Sequence, residues 1–579
     1  MVAIMAKQSM GKKSRLYTLL AAAFVAPLSL GLPSFAQTNP QTGGGTTNGT
    51  PAATVNGQAN GGTTSGTTAA NAQANEETSN GASTPTVNAQ ARGWTITPSV
   101  NLSETYTDNV KLQPAGQATS AFITEVAPGI DITAATRRLK LDLDYAVQNL
   151  HYSGDDLGNE RTNQQLNAKS KLDLIDNFFY IDGTANISQQ NQTPFGPDTT
   201  NNLNLSDNRV TIRTYSLSPY LHETFQQTAT GELRYSRDSV ATSLSGLTNS
   251  TADTIQASLK SGSAFKAFNW DFESSDQKIH YTDESDIEMQ SNILNFGYHF
   301  SSQFELTGDA GYEKNNYVAL NSEAPAGTTW SGGFAWTPSD RTNVAASVGK
   351  HYYGNSYMFS LNQRTRATVW TLGYNESITT TRSQYLLPVT TNTSALLNSL
   401  WQASIPDAAQ RQQAVNAFIQ ENGLPSALNS SVNTLANQVF LQKSLLGSVA
   451  ITGAQNTVML NLFNIQRDAQ SVSIVDDTGL LGNTNQALLN NTRQTGANAL
   501  WSVKFGPRTD ASIMTGYTRA VSNSTGITYN NKSTTLTFSH QLQPKLKAML
   551  ELMRLQNDSN VSTGDFKENA ISVFLLLGF

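Results

Sequence analysis

Six histidines are the side chains of this 579-residue chain that ordinarily titrate near neutrality, and it has no cysteine. They are His151, His222, His280, His299, His351 and His540. No two stand four apart, the spacing that puts two ring nitrogens on one helix face for zinc. His151 precedes Asp155 and Asp156, and His280 precedes Asp283 and Glu284. A histidine–carboxylate pair of that kind could activate water. No Gly-x-Ser-x-Gly elbow accompanies either pair. The runs Ser153-Gly154-Asp155-Asp156 and Asp283-Glu284-Ser285-Asp286 offer oxygen ligands for Ca²⁺, but they lack the full calcium-loop spacing. Solvated loops are the plainer reading, so no catalytic residue, metal site or cofactor is expected. The missing cysteines exclude a disulfide scaffold, an iron–sulfur site and a thiol nucleophile. A net charge of −6 without basic blocks argues against nucleic acid as a partner.

Most charged side chains are not clustered. They are spaced by two. Lys140, Asp142 and Asp144 alternate with Leu139, Leu141, Leu143 and Tyr145. Asp271 and Glu273 alternate with Phe268, Trp270 and Phe272, and Lys504 with Trp501, Val503 and Phe505. Period two over runs of about ten residues is the length of a strand that crosses a bilayer at a tilt. Composition agrees: 38% hydrophobic and 14% charged are both low against roughly 45–50% and 25% in soluble domains. One face of each strand wants lipid and the other wants water. Lys140, Asp142, Asp144, Asp271, Glu273 and Lys504 are therefore candidate lumen-lining residues. Their mixed signs suit water and neutral or mixed-charge polar solutes better than a single-sign filter would.

The fold expected is all-β: a large antiparallel transmembrane barrel of about 22 strands, within roughly 18 to 24. Short connections (Ala134–Arg137, Asp173–Asn177, Gly506–Arg508) alternate with long ones (Ser153–Arg161, Gln189–Asn208), as periplasmic turns alternate with outer loops. Aromatics near strand ends, among them Tyr106, Tyr152, Tyr180, Trp330, Trp336, Tyr352 and Tyr353, suit interfacial girdles. The segments 251–261, 356–379 and 445–467 are weak strands. Val573, Leu575, Leu577 and Phe579 form the apolar face of a last strand ending in an aromatic residue, similar to the assembly signal of bacterial outer-membrane proteins. Between 380 and 441 the period becomes helical, with stripes at Leu396, Leu400 and Trp401 and at Val415, Phe418 and Ile419. This insert either folds as an outer loop or constricts the lumen. Its stripes need a surface to cover.

Residues 1–36 read as an export signal, with Lys7, Lys12, Lys13 and Arg15 before an apolar core and Ser34-Phe35-Ala36 at the cleavage site. Residues 37–92, rich in Gly, Thr and Asn, cannot bury enough apolar area to fold. As a flexible periplasmic tether they would reach roughly 40 Å. The barrel then occupies 93–579.

The first strands resemble the outer-membrane barrels associated with the PEP-CTERM/exosortase system. The matching residues are Trp94–Pro98, Ser103–Val110, Val126–Gly129 and Leu143–Tyr145, with Ala414–Gly423 and Leu441–Ser444 later. The resemblance implies a barrel in the cell outer membrane, serving exopolysaccharide or extracellular-matrix export as a passive channel or accessory. Implied partners are outer-membrane lipid, the barrel assembly machinery, and exopolysaccharide or its export apparatus. A non-conducting receptor barrel is the alternative, and a barrel hydrolase a distant third.

Overall fold

The computed structural model describes residues 93–579 except 155–157, 159, 200, 244–248, 283–284, 321–324, 387–392, 402–410, 412–414, 416–437, 472–489 and 562–563. The expected leader and linker (1–92), Asp155, Asp156, Asp283, Glu284 and most of the expected helical insert lie outside the described residues.

The described residues form 22 strands. The first seven are β1 (Trp94–Thr107), β2 (Ala121–Ala135), β3 (Leu139–Tyr152), β4 (Glu160–Ile175), β5 (Phe179–Asn191), β6 (Arg209–Phe225) and β7 (Ala229–Thr242). Then come β8 (Ser250–Ser261), β9 (Phe268–Tyr281), β10 (Ile287–His299), β11 (Phe304–Asn315), β12 (Ala326–Ser339), β13 (Thr342–His351) and β14 (Gly354–Arg364). The last eight are β15 (Thr368–Thr380), β16 (Val439–Thr452), β17 (Asn456–Ala469), β18 (Asn491–Lys504), β19 (Thr509–Ser522), β20 (Thr528–Gln543), β21 (Leu546–Ser559) and β22 (Phe566–Gly578). The three segments that look weak in sequence are all strands: β8, β14 with β15, and β16 with β17.

Each strand pairs antiparallel with its neighbours in sequence, and β1 closes on β22 from Ser99↔Gly578 to Thr107↔Ala570. Closure removes the sheet edges, whose unpaired backbone groups lipid could not satisfy. Connections at one end run from 340–341 to 262–267, all short. Those at the other end reach 192–208 and 381–438. By that asymmetry the short turns and both strand termini mark the periplasmic end. The shortest outer connection is the pair Tyr352 and Tyr353 between β13 and β14.

Burial is inverted relative to a soluble sheet. Asp271, Glu305 and Asp309 are at most 3% exposed, while Phe272, Leu306 and Trp330 are 40–54% exposed. A strand that hides its carboxylates and displays its aromatics has lipid as its outer solvent. Val573, Leu575 and Phe579 are exposed, on the outward face that Leu577 shares. Tyr106, Trp330 and Trp336 also face outward, as a girdle requires. Tyr152, Tyr180, Tyr352 and Tyr353 do not. Tyr152 and Tyr180 lie on the faces of Gln148 and Asp182, toward the lumen, and Tyr352 and Tyr353 pack under the lid described below. Nearness to a strand end does not fix the face; parity does.

The insert begins one residue later and ends three earlier than its period suggests, because β15 runs to Thr380 and β16 starts at Val439. Two helices open it, α1 (Thr381–Leu386) and α2 (Thr393–Trp401). Arg411 and Val415 are helical as well.

Candidate functional site: a lumen plugged on one side

β15 parts from β14 near its outer end, while β16 stays paired with β17 to Phe440↔Ala469. Pairing of β14 with β15 stops at Phe359↔Tyr374, whereas β15 and β16 stay paired to Thr380↔Val439. Residues Glu376 to Thr380 are all buried, so alternation is lost where the hairpin has protein on both faces. Ile378 and Val439 pack on Ala252, Ile279 and Met289 from the inner faces of β8–β10. The hairpin tip is a lid leaning across the lumen.

α1 continues inward. Arg382 pairs with Asp238 of β7, and its Nε donates to Ser250 Oγ of β8 at 3.1 Å. Tyr385 packs on Val210, Ile212 and Val240. Burial pushes its hydroxyl well above the ordinary tyrosine range, which keeps it neutral there. Farther along, Leu397 and Leu400 of α2, with Val415, cover Val369, Ala450, Met459 and Leu500. These four lie on the inner faces of β15–β18 close to their periplasmic ends. The insert therefore enters from the outer side and reaches the bottom of the barrel. Of its expected stripes, Leu400, Trp401 and Val415 join this cluster. The side chain of Leu396, and Phe418 and Ile419 altogether, lie outside the described residues.

The loop 192–208 roofs the other side. Phe195 packs on Ala520 and Tyr529, and Leu203 on Ile123 and Leu150. The Tyr152 hydroxyl donates to the Leu203 carbonyl at 3.0 Å, and Asn204 Nδ2 to Glu568 at 2.7 Å. Arg209 holds the loop's own carbonyl at Thr199 (2.8 Å) and Asn202 Oδ1 (2.6 Å).

Below this roof the inner wall is open to water. Lys140, Asp142 and Asp144 are exposed on the lumenal face of β3, with Asp142 beside Lys169 of β4 and Asp144 beside Asp131 of β2. A cavity of about 420 Å³ adjoins them, lined by Asp144, Gln148, Gln165, Asn167, Asn186 and the roof's Asn202. It sits where the β4–β5 ladder has ended, at Leu166↔Ile187. Its amides can donate and accept together, the requirement for holding hydroxyl-rich neutral solutes.

The other expected lumen residues lie elsewhere. Asp271 and Glu273 face inward on β9 but answer to Lys260, at 3.7 and 4.0 Å, and Asp271 is buried. Lys504 is exposed at the periplasmic end of β18. In a further inner-wall cluster the sequence reading misses the aromatic pair that joins the inward charges. Tyr180 and Tyr220 stack with centroids 5.0 Å apart, Lys171 Nζ lies 4.8 Å over Tyr180, and the Arg234 guanidinium lies 3.8 Å over Tyr220. Arg234 bonds Asp182 at 3.0 Å and Glu232 at 2.9 Å. The signal was present: Tyr180 shares its parity with Asp182 and Tyr220 with His222.

His151 and His280 point outward on separate strands, and His280 Nδ1 lies 2.8 Å from Asp286. Among the described residues no group of three or more carboxylates and histidines is placed to hold a metal.

No protein-family model matches this chain, and no curated protein does. Among solved structures, the siderophore receptor PirA from Pseudomonas aeruginosa is similar at 10% identity, over 84% of this chain and 80% of its own, with TM-score 0.43. The FrpB iron transporter from Neisseria meningitidis (F3-3 variant) aligns at 10% identity over 85% and 82%, with TM-score 0.46. A double variant of OccD1 (OprD) aligns at 9% identity over 85% and 97%, with TM-score 0.30. The wall itself defines the class of protein: a closed, even-stranded antiparallel barrel, polar within and apolar without, of the outer-membrane type.

Proposed function

We propose that this barrel is a normally closed, passive path across the outer membrane for neutral or mixed-charge polar polymers, exopolysaccharide being the class that its family resemblance favours. The observation that carries this reading is the water-facing inner wall of β2–β5, where mixed charges and an amide-lined cavity meet. Such a surface exchanges hydrogen bonds with a hydroxyl-rich chain without a deep binding well, which passage requires. The lid, insert and roof would open by displacement. Residues 37–92 would tether the barrel in the periplasm, and Val573, Leu575, Leu577 and Phe579 would present the edge that the assembly machinery meets.

The packed plug favours a second reading, a receptor barrel with no conducting path. Planar-bilayer conductance separates the two. Replacing 394–437 by a short Gly/Ser loop should raise single-channel conductance and admit large polar antibiotics to cells. A folded variant whose conductance stays at the baseline would sink the transport reading.

A further inference from the structure

We propose that the outer face of β1 and β20–β22 carries a binding groove for a phosphorylated lipid of the outer leaflet. This goes beyond the transport reading and does not depend on it. A groove of about 460 Å³ lies on the lipid-facing side of the wall. Thr534, Arg554 and Asn569 share one row across three strands, joined by Asp108. One row toward the periplasm, Leu536, Leu552, Ile571 and Tyr106 continue in register. The groove contains both rows, so the boundary between polar and apolar wall runs through it. That boundary is where a lipid changes from headgroup to acyl chain.

Cations outnumber carboxylates above the groove. Arg493, Arg519, Lys532, Arg554 and Lys567 bring one exposed cation from each strand of β18–β22, all outward and all in the outer half. Lys532 is held by Asp558 at 2.8 Å. Arg554 reaches only the Asn569 amide oxygen, at 3.3 Å, and Arg493 only that of Asn464, at 3.0 Å. The groove's one carboxylate, Asp108, is turned to the neighbouring strand β22, accepting from the Asn569 backbone N–H and Nδ2, each at 2.7 Å. The outer half of β7–β10 differs. There Arg237 meets Asp253 at 3.4 Å and Lys278 meets Glu288 at 3.6 Å. A phosphate monoester is the anion that several unpaired guanidinium and ammonium groups suit. The apolar row beneath specifies that the phosphate arrives on an acyl chain.

The test uses the full chain folded in detergent, with native mass spectrometry reading retained lipid. The probes are a bisphosphorylated acyl glycolipid, the same lipid dephosphorylated, and inorganic phosphate. The wild type should retain the phosphorylated lipid alone, and inorganic phosphate should not displace it. Arg554→Gln with Lys567→Gln should weaken retention about tenfold or more, as loss of charge-assisted bonds predicts. Leu552→Ala should weaken it less, and Arg213→Gln on distant β6 should leave it unchanged. Heat-modifiable gel mobility checks that each variant is folded. Equal retention of the dephosphorylated lipid overturns the proposal. So does wild-type retention by the folded double variant, and displacement by inorganic phosphate would mark an anion site with no lipid specificity.

Discussion

The inner faces of β2–β4 and β15–β18 occupy the same depth of the same barrel, yet they are built for different neighbours. On β2–β4 the periplasmic half carries Asp131, Lys140, Asp142, Asp144 and Lys169, and water covers it. On β15–β18 it carries Val369, Ala450, Met459 and Leu500, and α2 with Val415 covers it. The outer faces do not differ in this way. Leu143 and Tyr145 on β3 correspond to Leu460 and Leu462 on β17, all apolar toward lipid. The inner wall thus encodes where the plug rests, and the outer wall encodes only the membrane. A ring of uniform polarity would leave the insert no preferred side. Half of this lumen is instead a docking surface, and the other half remains available as a path.

The sharpest way to break this division is to unfasten the plug at its outer end. Arg382→Gln would leave Asp238 buried without its cation, a change that costs about 3–5 kcal/mol where no water can compensate. The lid should then sample open states. Bilayer recordings should show frequent openings, while heat-modifiable mobility of the barrel stays near wild type. A silent recording from a folded variant would mean that the pair does not hold the closure.

The next largest effect belongs to the docking surface. Leu500→Ala removes a side chain that α2 packs on, at a cost of about 2–4 kcal/mol. Asp144→Ala on the open side should stay within about 0.5 kcal/mol. Protease added to the lumen-accessible side should cut the insert faster in the first variant only. Equal effects from the two would erase the asymmetry.

Much of this architecture was legible before the fold was known, and the reason is the period of two. Strand number, the lipid face of β3 and β9 and the alternation of turns all follow from it. The plug side was obscured for a physical reason. In β16, Leu445–Leu446 and Val449–Ala450–Ile451 are apolar on both faces, so the alternation that identifies a wall strand fades. That fading is itself the imprint of a covered inner face. The helical stripes of the insert announced that it needed a partner surface, but a local period cannot say which wall of a wide barrel supplies it. The hairpin lid had no local signal at all, since Ile378 and Val439 keep outward parity and meet the inner faces of β8–β10 only where the β14–β15 seam has opened.

If the two sectors differ only inside, their outer faces must answer alike. Leu143→Arg on β3 and Leu460→Arg on β17 should each cost about 2–4 kcal/mol, less if the site lies near an interface. Urea unfolding in lipid vesicles measures both. A large penalty on β3 with none on β17 would place the plugged sector out of contact with lipid, and the barrel picture of that side would fail.

The smallest effect expected is a pH dependence confined to the roof of the open side. Asp198 belongs to the loop 192–208, outside the strands. Burial raises its carboxyl above the ordinary aspartate range, and the Arg209 charge and a bond from Asn191 Nδ2 at 2.5 Å only partly oppose this. A raised value in the docked loop means that the docked state binds the proton more tightly than the undocked one. Docking is therefore strongest in acid, and it weakens as pH rises from the ordinary aspartate range through the raised value. Above that window the contribution is lost and no longer changes. Acidification into the window should thus lower the open probability of the roofed path, and Asp198→Asn should flatten the response while leaving the neutral-pH current at or below wild type. An open probability that rises on acidification in the wild type, or a slope that survives in the variant, would assign the pH sensitivity to some other group.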